Sequence, residues 1–571
     1  MNQPTPAIVA QGAVHRLPRA LLLLLCIAYV LPGLIGREPW KSDDMTAFGY
    51  MAELARGATT WFAPQLMGLP PEADALLPYW LGAWAMQLAP AWMAPDFAAR
   101  IPFGLLLTLA LVATWYGTYY LARNPEAQPV AFAFGGEALP TDYARAMADG
   151  GLLAFMACLG LAQLSHETTP ALAQLCFTAL FFYALAALPY RVLIPSIGAV
   201  LGLTGLALSG APAMATLFGA GGALIHLVDR SPGPSARRHQ AWWAAGIALL
   251  TVLVAALSLW LDLWRWRIEL PEANWKEWGS LGRLLLWFTW PAWPLVLWTL
   301  WQWRRQLLRA AAPSRHLALP LWFAVVSLAA TLSTASADRS LLLALPALAA
   351  LAAFALPTLG RNVAALIDWF TLIFFSGSAL IIWVVWIAMQ TGVPKQPAAN
   401  VARLMPGFEH SFSFLPFLIA IVATLAWVWL VKWRVGRHRA AIWKSLVLPA
   451  SGAALCWLLL MSLWLPLLDF ARSYAPLVRR TLIVFKQKPP CVEAHGLSRA
   501  QIAAYQFHGN LELKPMGSEV ACPWLIVDRN IVKTRPDPVD LTRWTLHSVM
   551  RHPADRKENL QIYQRTAQAE R

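Results

Sequence analysis

Apolar runs close to twenty residues long recur through most of this 571-residue chain, and no other feature narrows its fold so far. A hydrocarbon layer about 30 Å thick is crossed by about 20 apolar residues in a helix. Read in order, the runs predict spans at 17–35, 101–121, 151–164, 171–188, 192–209, 211–228, 242–261, 284–303, 317–333, 341–357, 370–389, 413–431 and 445–468. The expected fold is an all-α polytopic membrane domain of about thirteen transmembrane helices over residues 1–468. With 58% hydrophobic and only 13% charged residues, the composition excludes a soluble enzyme.

Charge placement sets the expected orientation. His15, Arg16 and Arg19 precede the first run, and residues 33–36 do not form a cleavage site, so 17–35 reads as a retained signal-anchor with a cytoplasmic N-terminus. The short loops 229–240, 304–316 and 432–444 hold twelve Lys and Arg between them. The turns 165–170 and 209–212 hold none, and 334–340 holds one. Basic loops stay in the cytoplasm, so an odd span count leaves the tail outside. The formal charge of +15 thus follows from topology and contact with anionic membrane lipids, and no nucleic acid is implied. Residues 37–99 form the first external loop, with amphipathic pieces at 44–54 and 77–88 suited to the membrane interface. Residues 124–148 are a polar insert whose purpose is not legible.

The tail, 469–571, has globular composition. Helices are expected at 472–485 and 498–507, and strands at 524–528 and 560–563, giving a small external α/β domain. Cys26, Cys158, Cys176 and Cys456 sit in apolar runs as small hydrophobes. Cys491 and Cys522 lack zinc-site spacing, and in an oxidising compartment they are expected to form a disulfide.

Chemistry has few places to reside in so apolar a chain. Asp43 and Asp44 stand side by side just past the first span, where desolvated carboxylates are paired, hydrated or used. Their alternative role is to cap a helix over 45–54. His166 and Glu167 occupy the short turn 165–170 on the same expected face, with capping of the helix that begins at 168–170 as the alternative. The cations of that face are Arg100, Arg265, Arg267, Lys276, Arg283 and Arg339. Arginine offers a planar fork to a lipid phosphate, and the turn TASADRS is too short to carry Arg339 away from the membrane surface. Pairing with Asp338 or interfacial snorkelling is the alternative there. No Walker loop, HExxH, GxSxG or dinucleotide fingerprint is present.

In sequence order, Asp43-Asp44, the segment Phe62–Gly68, Tyr79-Trp80, Arg100–Pro102 and SHETTPALAQ form a pattern. It resembles the protein O-mannosyltransferase and aminoarabinose (lipid A) transferase group of bacterial GT-C glycosyltransferases over residues 16 to about 360. The aminoarabinose transferases carry a Lys-Pro-Pro segment before Tyr-Trp. Here the stretch reads EADALLPYW, with Asp74 where the lysine would stand, and the tyrosine expected after TASADRS is absent.

The resemblance implies sugar transfer from a polyprenyl-phosphate donor to a lipid A, glycan or protein acceptor, on the periplasmic face of a bacterial inner membrane and usually with inversion. It implies Asp43 as base, Asp44 as its support or a metal ligand, and Glu167 as a second carboxylate for acceptor or metal. Arg100 and Arg339 would hold the phosphate, with His166, Tyr79 and Trp80 lining the substrate site. Such hard carboxylate ligands suit Mg²⁺ or Mn²⁺, although the sequence establishes no metal. The alternatives are a non-catalytic accessory protein of the same fold and a lipid or polysaccharide exporter. The first would lose an acidic motif, and the second would line mid-membrane positions with polar residues.

Overall fold

Prolines and short polar turns cut the apolar runs into helices. The computed structural model describes residues 5–229, 234–264, 274–308, 314–334, 337–435, 441–517, 521–528, 539–555 and 558–566. The first half contains α1 (Arg19–Val30), α2 (Asp43–Ala55), α3 (Leu77–Leu88), α4 (Pro95–Ala122), α5 (Pro140–Ala157), α6 (Leu161–Leu164), α7 (Pro170–Ala187), α8 (Leu193–Leu208), α9 (Pro212–Val228) and α10 (Pro234–Trp260). Then come α11 (Trp275–Phe288), α12 (Ala292–Gln302), α13 (Arg304–Leu308), α14 (Arg315–Leu332), α15 (Ala337–Leu342), α16 (Leu345–Ala355), α17 (Arg361–Thr391), α18 (Lys395–Leu404), α19 (Phe414–Val435), α20 (Lys444–Leu463) and α21 (Leu465–Arg472). Proline opens α4, α5, α7 and α9, where its missing N–H costs no intrahelical bond.

Seven of the described helices are long and apolar enough to cross a membrane: α4, α7, the 239–260 part of α10, α14, α17, α19 and α20. The pair α11 and α12 meets at 84° and makes a broken eighth, while α1, α8, α9 and the segment 345–358 are shorter apolar helices. Together with α5 they fall in order on the thirteen expected spans. The fold is all-α and polytopic, with a small C-terminal α/β unit.

The third span is the main displacement. It was expected at 151–164, but α5 ends at Ala157 and begins at Pro140, so much of the polar insert is helix. Its polarity is spent on tertiary partners. Asp149 accepts hydrogen bonds from Trp115 Nε1 (2.8 Å) and the Leu17 amide (3.4 Å), and Asp142 pairs with Arg16 (3.0 Å). The rest of the insert lies against the N-terminal segment, where the amides of Val130 and Ala138 donate to the carbonyls of Ala7 and Val9. Hydropathy alone cannot distinguish such paired polarity from a loop.

The tail adds α22 (Ala475–Phe485), β1 (Val492–His495), α23 (Arg499–His508), β2 (Leu513–Pro515), β3 (Trp524–Asp528), β4 (Trp544–Arg551) and β5 (Asn559–Arg565). The sheet order is β2-β1-β3-β5-β4, with β1 parallel to β2 and β3, and β5 antiparallel to β3 and β4. Ser498 and Gln501 close α23 with a reciprocal capping box. The expected helix at 472–485 is α22, which begins at Ala475 because the chain breaks at Ser473 after α21.

Cys491 and Cys522 are joined as a disulfide, with Cα atoms 5.3 Å apart, tying the start of β1 to the start of β3. The bridge closes a loop of 31 residues, for which the chain-entropy argument gives about 3–4 kcal/mol. The double change Cys491→Ala and Cys522→Ala is therefore expected to lower the tail's unfolding free energy by about that much, read by protease resistance of residues 475–566 in denaturant. An unchanged midpoint would mean that the sheet does not depend on its bridge.

Candidate functional site

The turn after α1 builds the site. Gly36 adopts φ of +76°, a left-handed conformation open to glycine at little cost. The next residue, Arg37, is buried with none of its side chain exposed. Its Nη2 donates to Asp44 Oδ2 (2.9 Å) and to the His166 carbonyl (2.6 Å), and its guanidinium stacks over the Trp40 ring at 4.7 Å. Asp44 also accepts from the Trp40 amide (3.1 Å), the Thr168 amide (2.7 Å) and Thr168 Oγ1 (2.6 Å). Each carboxylate oxygen thus has two donors. Burial alone would raise the Asp44 carboxyl, but Arg37, Arg100 and the Thr168 donors outweigh it and hold it below the usual carboxylate range.

Helical geometry makes the neighbouring acid face elsewhere. Asp43 and Asp44 are the first residues of α2, about 100° apart around the axis. Asp43 keeps 43% of its side chain exposed, accepts from Ser42 Oγ (2.9 Å), and forms an ion pair with Arg339 Nη1. Arg339 Nη2 reaches Glu167 Oε2 at 3.6 Å. Glu167 is buried and also accepts from Gln163 Nε2 (3.1 Å). Burial and the Asp44 charge raise its carboxyl, with Gln163, Arg37 and Arg339 offsetting part of that. Arg339, on α15, thus bridges one exposed and one buried carboxylate.

The capping alternatives do not hold. The α2 N-cap is Ser42 and that of α7 is Thr169, and neither helix end has a side-chain capping bond. Arg339 does bond to Asp338, its backbone amide rather than its guanidinium donating to Asp338 Oδ1 (3.0 Å).

Other expected site residues stand elsewhere. Arg100 is 2% exposed and paired with Asp96 (3.2 Å), so it supports Asp44 from behind and offers nothing to a phosphate. His166 is buried, its ring nitrogens facing the carbonyls of Ala162 (2.6 Å) and Tyr29 (3.0 Å), with Trp457 4.6 Å away. It is a packing residue of the turn. Tyr79 is buried against Tyr50 (5.4 Å), where burial first, and Tyr50 and Asp43 after it, push its hydroxyl pKa up. Trp80 donates to the Trp61 carbonyl (2.7 Å) within an aromatic cluster with Phe62 and Trp84. Lys276 and Arg283 are exposed on α11, and Arg265 and Arg267 lie outside the described residues.

Asp44 as a metal ligand does not fit, since a cation there would have to displace two donors from each oxygen. Among the described residues, no group of three His, Cys, Asp or Glu converges as a metal site. Asp43 and Glu167 lie on either side of Arg339.

Sequence reasoning missed Arg37 and Asp469. A positive residue on the outer flank of the first span runs against the charge bias of the other loops, and that was the available signal for Arg37. Asp469, in α21, accepts from Trp40 Nε1 (2.8 Å) and the Glu38 amide (3.4 Å). Burial pushes its carboxyl up to about 7, with Glu38 adding to the rise. Further tail contacts finish the loop. The Lys41 amide donates to the Arg472 carbonyl (2.7 Å), and Lys41 Nζ pairs with Asp555 (3.1 Å). Gly49 lets α2 lie on α23, where an added Cβ would come within 2.5 Å of Ala503 Cβ.

No protein-family model matches the chain, and no curated protein matches it in sequence. Its fold is shared with solved structures. ArnT from Cupriavidus metallidurans bound to undecaprenyl phosphate superposes with a TM-score of 0.57 at 12% identity, over 95% of this chain and 97% of that one. The apo state of the same protein gives 0.55 over 95% and 96%. An oligosaccharyltransferase from Archaeoglobus fulgidus, tethered with an acceptor peptide, aligns at 12% identity over 76% and 55% with a TM-score of 0.36, too low to carry an argument. The chain is a multi-pass membrane protein that shares the fold of ArnT.

Two expectations follow from the buried charges. Asp44→Ala leaves Arg37 buried and unpaired, and should destabilise the protein by about 3–5 kcal/mol, seen as a lower thermal midpoint in detergent. For Asp469, the folded carboxyl holds its proton to about 7, whereas the unfolded one loses it in the ordinary carboxylate range. Across that window the folded state binds more protons, so stability falls as pH rises towards 7. Asp469→Asn keeps the acceptor oxygen and should flatten this slope, and an unaltered slope would show that the residue does not titrate there.

Proposed function

We propose that the chain is a glycosyltransferase that moves a sugar from a polyprenyl-phosphate donor to an acceptor hydroxyl or phosphate at the face bearing Asp43. The observation that carries this reading is Arg339 held between exposed Asp43 and buried Glu167. A donor phosphate competes with Asp43 for the Arg339 fork. Once the guanidinium turns to the phosphate, Asp43 is released as a base within the same few ångströms. One event thus charges the leaving-group site and frees the base.

The transfer is a single displacement. The acceptor oxygen forms a bond to the sugar's anomeric carbon while the bond from that carbon to the phosphate oxygen breaks. The electron pair leaves on the phosphate, where Arg339 stabilises it, and the acceptor proton passes to Asp43. Such a displacement inverts the anomeric centre. Glu167 orients Arg339 from its buried side. Asp44 and Arg37 do not enter the step and hold α2 in place. The likeness to ArnT bound to undecaprenyl phosphate supports a lipid-linked donor, and the periplasmic orientation rests on the basic loops 229–240, 304–316 and 432–444.

Asp43→Asn should lower sugar transfer in proteoliposomes by about 10²–10⁴-fold while leaving donor binding within a few-fold. Arg339→Ala should raise the donor Kd and also lower the rate, and Arg339→Lys should restore less than half of the loss, since an ammonium lacks the fork. Near-normal transfer by Asp43→Asn removes the base assignment.

A further inference from the structure

At the end of the bundle away from Asp43, α1, α19 and α20 enclose a groove of about 410 Å³, within the range of small-molecule sites (roughly 300–1,000 Å³). Its walls are Leu21, Leu24 and Leu25 of α1, Trp427 and Leu430 of α19, and Val447, Ala454 and Leu458 of α20. From Lys444 to Leu458 the α20 wall runs about 20 Å at 1.5 Å per residue, the reach of one extended acyl chain. His15, Arg16 and Lys444, its ionisable lining residues, gather at one end, and no acid lines it. The ends match in all three helices, because residues 15–17 precede α1, Trp433 is near the close of α19, and Lys444 opens α20. Lys444 Nζ sits over the Trp433 ring (5.8 Å), and Trp443 Nε1 donates to the His15 carbonyl (2.7 Å), fixing the mouth.

We infer that this groove is a binding site for an anionic phospholipid, with one acyl chain between α1, α19 and α20 and the phosphate at Arg16 and Lys444. Charge complementarity selects the occupant. A zwitterionic headgroup brings its own cation to a mouth that already holds Arg16 and Lys444, whereas an anionic headgroup offsets their charge. Arg16 pairs with Asp142 (3.0 Å) and Lys444 lies in the field of Asp368 and Arg434, so a phosphate would share both cations with these neighbours. The charged mouth is set apart from the Asp43 face, since Arg16 and Lys444 precede or open α1 and α20 while Asp43 follows the far end of α1.

The test uses the full-length protein in nanodiscs and phosphatidylglycerol carrying a photoreactive group on one acyl chain. Cross-linked peptides are expected from α1, α19 and α20, competed by unlabelled phosphatidylglycerol and not by phosphatidylcholine. Each of Arg16→Ala and Lys444→Ala should weaken labelling by about fivefold, and Lys444→Arg should retain it. Ala454→Trp fills the groove without altering charge and should abolish labelling while thermal stability reports intact folding. Equal competition by phosphatidylcholine, competition only by polyprenyl phosphate, or labelling unaffected by Ala454→Trp would each overturn the assignment.

Discussion

The ion pair between Arg37 and Asp44 is the constraint on which the face bearing Asp43 depends. Withdrawing two charges from water costs several kcal/mol each, offset in part where the carboxylate's remaining hydrogen-bonding capacity is met. Asp44 meets it by drawing on Trp40 in its own loop and on Thr168 from the turn between α6 and α7. The carboxylate thereby staples two segments 124 residues apart. Because α2 must start where Asp44 is held, Asp43 has one direction left to face, and it meets Arg339 there.

The thirteen apolar segments were legible because lipid imposes length and composition on each span independently of its neighbours. The breakdown at α5 has the opposite cause. Asp142 and Asp149 are compatible with a packed helix only because Arg16, Trp115 and Leu17 come to meet them, and no local pattern announces such partners. In the tail, β3 was legible as an apolar run, WLIVD. The three-residue β2 and the largely exposed β4 carry too little patterning to be seen.

The site divides in the same way. Asp43, Glu167 and Arg339 were legible because charge is scarce and each stands where a chain leaves the membrane. Their division of labour was not, since adjacent aspartates look alike until a helix turns one inward. Arg100, His166 and Trp80 were legible as unusual residues, but their partners decide what they do. Each is already engaged by the protein itself, through Asp96, the Ala162 and Tyr29 carbonyls, and Trp61.

The contacts that complete the loop before α2 have a consequence for the order of events in synthesis. Residues 38–41 are secured by Asp469, Arg472 and Asp555, which follow them by more than four hundred residues. A ribosome delivers Asp43 early and these anchors last. The nascent chain therefore carries its acidic pair with the surrounding loop unfinished, and only the closing stretch of translation supplies the groups that set it. The loop that sets Asp43 is thereby completed only when synthesis of the whole protein is nearly done.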